Sequence, residues 1–155
     1  MKALTIWQPW ASLIAAGLKR YETRSWATDY RGLLAIHAAK RPLNPDEIRS
    51  ICYGLNSFDL EEVAKVEHEI DNCCQFGAIL AIAELKDCLP TASFIPGPNK
   101  NSLGIERILG NYQPGRFAWK LQNIQPLIPI PTKGQQGLWI PSSELIAQIN
   151  SAVKL

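Results

Sequence analysis

Two apolar runs constrain this chain most: Gly32-Leu-Leu-Ala-Ile-His-Ala-Ala-Lys40 and Gly77-Ala-Ile-Leu-Ala-Ile-Ala-Glu-Leu85. Each has the length of a strand and is bounded by turn signals, so each fits a buried strand. Shorter strand signals surround them at Lys2–Trp7, Arg20–Trp26, Arg116–Leu121, Leu127–Ile130 and Gly137–Ile140. Pro126, Pro129 and Pro131 cannot donate to a ladder, which places Leu127–Ile130 at a sheet edge or bulge.

Helical signals are fewer. Pro9–Ala16 reads as a short helix with Gly17 at its stop. Asn44 reads as an N-cap followed by Pro45, with Asp46 and Glu47 complementing the dipole in the first turn. Asp59 to Ile70 carries Leu60, Val63, Val66, Glu67 and Ile70 at helical spacing, and Ser142 or Ser143 caps a terminal helix with Leu145, Ile146, Ile149 and Val153 on one face. Residues 90–103 form a Pro- and Gly-rich loop, followed by a helical turn around Ile105–Leu109. Strands outnumber helices and do not alternate with them. The expected fold is therefore α+β: a small closed or half-closed β-barrel with peripheral helices, as one domain over residues 1–155.

A hydrophobic content of 46% with 19% charged residues excludes a disordered chain. No apolar run reaches the roughly 18 residues that cross a bilayer. The first residues read as a strand and lack the features of a signal peptide, so a cytoplasmic location and no membrane partner are expected. Cys52, Cys73, Cys74 and Cys88 are expected to be free thiols. No C-x-x-C spacing is present, and His68 with Cys73-Cys74 makes a weak ligand set, so neither metal nor cofactor is expected. His37 is read as a packed strand residue.

Charge is unevenly distributed. Residues 50–90 hold two lysines against eight carboxylates, whereas residues 1–49 hold eight basic and four acidic side chains, and residues 91–155 hold six and two. The basic ends suit an anionic partner such as nucleic acid. At one of them Gly17-Leu-Lys-Arg-Tyr-Glu-Thr-Arg-Ser-Trp26 places Lys19, Glu22 and Arg24 within six residues. On a strand Glu22 and Arg24 share a face, with Lys19 at the preceding helix exit. That convergence suits gripping an anion or moving a proton. The same spacing also serves solvated salt bridges, each contributing about 0–1 kcal/mol.

Five segments together resemble the ASCH (activating signal cointegrator homology) domain, a family related to the PUA fold: Leu4-Thr-Ile-Trp-Gln-Pro-Trp10, Gly17-x-Lys19-x-x-Glu22-x-Arg24, Arg31 to Lys40, Gly115-Arg-Phe-Ala-Trp119 and Gly134-Gln-Gln-Gly-Leu-Trp139. The resemblance implies a PUA-like β-barrel with a cleft lined by the G-x-K-x-x-E-x-R residues, binding RNA or a modified nucleoside. It also implies an alternative, since some small bacterial members are amidohydrolases that deacylate N4-acylated cytidine with a lysine, a threonine and a distant glutamate. Here Lys19 matches the lysine, but Glu22 stands where the threonine would be, Thr23 falls on the opposite strand face, and Glu84 is the candidate for the distant glutamate. An enzyme, whether such an amidohydrolase or a hydrolase acting on RNA, would thus use Lys19, Glu22 and Glu84. A third alternative is a protein-interaction module using the acidic helices at residues 44–71, which would expose an apolar patch on them.

In a binding role, Lys19 and Arg24 would contact a phosphate or carbonyl edge, while Glu22 would accept an N–H from an exocyclic amine. Trp10 and Trp26 flank the motif and are the first candidates for stacking an unstacked base from RNA or another single-stranded nucleic acid, ahead of Trp7 and Trp139. Trp119 alternates with Phe117 and reads as core. In the turn Lys133-Gly-Gln-Gln-Gly137, Lys133 and Gln135 are further candidate ligand contacts, and Lys40, Arg41 and Lys100 are candidate phosphate contacts.

Overall fold

A computed structural model describes residues 1–94 and 103–153. Its elements are β1 (Lys2–Ile6), α1 (Trp10–Ala15), β2 (Tyr21–Arg24), β3 (Gly32–Ala38), α2 (Pro45–Leu55), α3 (Leu60–Asp71), β4 (Ala78–Pro90), β5 (Phe117–Pro131), β6 (Leu138–Trp139) and α4 (Ser143–Ala152). Lys100 and most of the expected 90–103 loop lie outside the described residues. The described strands form one sheet in the order β2-β5-β4-β3-β1-β6, with β1 and β3 parallel and the other pairs antiparallel. The sheet curls into a half-barrel. Arg24 on the edge strand β2 reaches across the curl and donates through Nη2 to the Thr5 carbonyl of β1 (2.9 Å).

The two apolar runs are β3 and most of β4, and their lack of alternation has a structural cause. Successive side chains point to opposite faces, and both faces are covered. On one side Leu34 and Ile36 pack with Leu4 and Ile6 of β1 and Ile14 of α1, while on the other Ala35, Ile79 and Ile82 lie under Leu145 and Ile149 of α4 and Val153 at its end. A third cluster seats α2 and α3 on α1 through Leu13, Ile51, Leu55, Val66 and Ile70. Two caps follow the sequence reading: Asn44 accepts the Asp46 N–H and Ser142 accepts from Leu145; Asp59, read as the first residue of its helix, is instead its N-cap and accepts from Glu61 and Glu62. Gly17, at φ 75°, ends α1 in the left-handed region that glycine enters without strain, and turns the chain toward Lys19.

Three boundaries differ from expectation. β4 continues past Leu85 to Pro90, because its last residues still pair with Phe117–Lys120 of β5. The segments 116–121 and 127–130 are one strand, β5, rather than two. Its prolines are tolerated because β2 covers only Phe117–Lys120, so the distal half of β5 has a neighbour on one side, and register shifts against β4 absorb the irregularity. The turn near Ile105 is a short 3₁₀ segment, Gly104–Arg107. Leu60, placed on the apolar face by spacing, is exposed at the first turn of α3, and Tyr53 on α2 is exposed as well.

Candidate functional site

Where α1 turns into β2, a cavity of about 510 Å³ opens between the β1–α1 turn, β2, α2 and the segment 108–111. Lys19 lies at its floor and is fully buried. Its Nζ donates to the Tyr21 carbonyl and lies 3.5 Å from Glu22 Oε2. The other carboxylate oxygen, Glu22 Oε1, lies 3.1 Å from Arg24 Nε. That N–H is not aimed at the oxygen and has no hydrogen-bond partner, so the contact is an ion pair only. Glu22 therefore stands between two cations. Removing a buried ammonium from water costs several kcal/mol unless partners compensate, which explains why Lys19 has both a carboxylate and a carbonyl beside it.

The motif has a further partner that the sequence does not announce. Glu106, in the 3₁₀ segment, accepts the backbone N–H groups of Arg20 and Tyr21, the second at 3.3 Å, and so pins the turn that presents Lys19. Burial pushes the Glu106 carboxyl above its usual range, and the nearby charge of Lys19 pulls it part of the way back. The Tyr112 hydroxyl beside this group is buried without a partner, and burial followed by the charge of Glu106 raises its pKa. No local pattern could have revealed Glu106, because it reaches Arg20 across 86 residues.

The walls are aromatic. Trp7, Trp10 and Trp26 all line the cavity. Trp10 packs partly into two core clusters, and Trp26 makes a T-shaped contact with the buried Trp119 (centroids 4.7 Å apart), whose Nε1 donates to the Trp26 carbonyl. Trp7 is 52% exposed, with the Arg41 guanidinium 3.9 Å from its ring centroid. Arg41 is in turn held by two hydrogen bonds to Glu47 at 2.9 and 3.0 Å. On the opposite wall Arg116 donates to the carbonyls of Asn111 and Thr23.

The structure thus brings Trp10, Lys19, Glu22, Arg24 and Trp26 into one cavity. Trp7, a later candidate from the sequence, lines the same cavity, and the structure adds Arg116 and, beside the Lys19 turn, Glu106. Thr23 lines its edge, with the hydroxyl oxygen accepting the Asn111 N–H. Glu84 does not join them. It lies in mid-β4 with its Oε2 accepting from Gln122 and Asn123, amides that hold its carboxyl below the usual range. Lys133 and Gln135 are likewise absent from the cavity lining. Their turn packs elsewhere: a Cβ on Gly134 would fall 2.4 Å from the His37 ring and 2.7 Å from Thr5 Oγ1, so only glycine allows this approach. Trp139 is buried, its Nε1 donating to Thr5 Oγ1. His37 is a core residue as expected, and burial lowers its pKa. Among the described residues no three His, Cys, Asp or Glu side chains converge as metal ligands, and no helix is long and apolar enough to cross a membrane.

Comparison with known proteins defines the class. The ASCH domain family model matches residues 4–131, and the chain belongs to the ASCH domain family. Activating signal cointegrator 1 from Homo sapiens is 29% identical over 146 residues, covering 92% of this chain but 22% of the relative, and the Mus musculus protein matches to the same extent. The chain thus spans about a fifth of the length of those relatives. The crystal structure of ASCH from Zymomonas mobilis superposes with a TM-score of 0.55 at 15% identity, covering 96% of this chain and 93% of that one. A mutant of the same protein gives a TM-score of 0.56 at 15% identity, with 97% and 94% covered. At that identity the likeness establishes the fold, an α+β PUA-like half-barrel.

Proposed function

We propose that this ASCH domain binds single-stranded RNA by taking one nucleotide into the cavity above Lys19, Glu22 and Arg24. One observation carries the reading: an open cavity of about 510 Å³ combines three tryptophan walls with a fixed ionic floor. That volume falls within the roughly 300–1,000 Å³ usual for small-ligand sites. It suits an unstacked base with its sugar and not a duplex. Indole rings supply a stacking surface that any base can use, and the Glu22 carboxylate and Arg24 guanidinium supply an acceptor and donors for a base edge. Lys19, Arg24 and Arg116 outnumber the carboxylates on the lining, since Glu47 is engaged by Arg41, and this favours an anionic ligand. The link of the ASCH family to RNA points the same way.

Hydrolysis draws less support from the geometry. Lys19 is closed off by Glu22 and the Tyr21 carbonyl, and Glu84 is held by its own amides away from the cavity. The test is anisotropy of a fluorescein-labelled single-stranded RNA 12-mer at 50–200 mM salt, with wild type and Lys19→Met/Arg24→Gln. The expected result is salt-dependent binding that falls at least about tenfold in the double variant, with N4-acetylcytidine left intact in parallel incubations. Lys19-dependent deacylation would replace the binding role with a catalytic one.

A further inference from the structure

We infer that Trp7, rather than Trp10 or Trp26, is the stacking platform of this site, and that the Arg41–Glu47 pair is a positioning device that presets its ring. The inference rests on the reading that the cavity takes a base, and it deepens that reading by assigning the face on which the base lies.

The three cavity tryptophans differ in how far they are already committed. Trp10 is shared between two core clusters, and Trp26 abuts Trp119 in an edge-to-face contact within the main core. Both rings are therefore partly committed to core packing. Trp7 belongs to none of these clusters, and at 52% exposure it is the most solvent-exposed of the three. An indole left in water forgoes the stabilisation that burial would bring, about 25 cal/mol per Å² of apolar surface. Exposure at the edge of a cavity is what a ligand contact requires.

The ring is nonetheless not free to turn. The Arg41 guanidinium stacks 3.9 Å from its centroid, within cation–π range. Two parallel hydrogen bonds to Glu47, on the first turn of α2, fix the plane of that guanidinium. Glu47 lines the cavity with Trp7, but Arg41 does not. Arg41 covers one face of the indole, so a base would stack on the opposite face. A base entering above the ionic floor would complete a three-layer stack of guanidinium, indole and base. Holding the indole in place beforehand lowers the ordering cost of binding. Trp7 lies near one end of the motif-bearing region, whereas Arg41 and Glu47 come from the β3–α2 connection and α2, so sequence spacing gives no sign of the arrangement.

The test is a double-mutant cycle on binding of the labelled single-stranded RNA 12-mer, with unfolding of each variant followed by circular dichroism. Trp7→Ala is expected to weaken binding about 5- to 100-fold, the range of one base–aromatic stack, and Trp7→Phe to retain most of the affinity. Glu47→Gln is expected to weaken binding about threefold in wild type, yet to change nothing in the Trp7→Ala background. A merely structural effect of Glu47 would persist in both backgrounds and would overturn the positioning role. Wild-type affinity in Trp7→Ala, with binding still lost in Lys19→Met/Arg24→Gln, would overturn the platform assignment while leaving the RNA reading intact. Absence of any RNA binding by wild type would overturn both.

Discussion

The two faces of the sheet are built from alternate residues of the same strands and use burial in opposite ways. Beneath α4 the packing is apolar, through Ala3, Ala35, Ile79, Ile82, Trp139, Leu145 and Ile149. On the other face, past the apolar packing of α1, burial extends to an ammonium and a carboxylate at the start of β2. The first face gains stability from every buried methylene. The second removes ions from water, a cost that mutual attraction and hydrogen bonding only offset. Such a network contributes position more than stability, which is the property a recognition site needs.

The contrast can be broken most forcefully at Glu22. Glu22→Gln removes the carboxylate paired with the buried Lys19 and is expected to cost about 3–5 kcal/mol of stability, read from urea unfolding at pH 7. On the apolar face, Ile149→Ala is expected to cost about 2–5 kcal/mol while leaving RNA affinity unchanged in variants that remain folded at the assay temperature. An affinity loss there would show that the two faces are coupled.

A smaller effect sharpens the comparison by showing an ionisable group buried in neutral form. Burial holds the folded pKa of His37 below 6.5, partly opposed by its hydrogen bond to the Thr132 carbonyl. Between its folded pKa and 6.5 the unfolded chain binds more protons than the folded one. This stabilising contribution is therefore complete above pH 6.5 and lost as pH falls through the folded value, with a slope of at most about 1.4 kcal/mol per pH unit. Thermal unfolding between pH 5 and 7.5 should show that acid sensitivity in wild type and a flatter profile in His37→Gln. The smallest effect belongs to Glu84. Glu84→Gln is expected to leave RNA affinity unchanged, because the carboxylate lies outside the cavity; a loss comparable to that of the floor variants would bring β4 into the site.

Much of this organisation is legible in the sequence because it is local. The i, i+2 relation of Glu22 and Arg24, the caps at Asn44 and Ser142, and the two buried runs all follow from short-range periodicity or capping chemistry. The remainder depends on chain reversal. Prolines 126, 129 and 131 suggest a break, and only the partial coverage of β5 by β2 explains why the strand continues. Glu106 reaches Arg20, and Arg41 reaches Trp7, through tertiary contacts that no spacing encodes. Among the tryptophans, proximity to the charged motif favoured Trp10 and Trp26, but exposure singles out Trp7.

The most direct test of the central claim, that the cavity holds a base from single-stranded RNA, is an NMR titration of the indole N–H groups. The five tryptophans give five reporters within one sample. The account predicts that the Trp7 signal moves in a saturable, salt-sensitive manner as the RNA is added, with smaller shifts at Trp10 and Trp26. Trp139, buried and bonded to Thr5, should stay in place. A titration in which the three cavity indoles remain still, while the RNA binds or fails to bind, would contradict it.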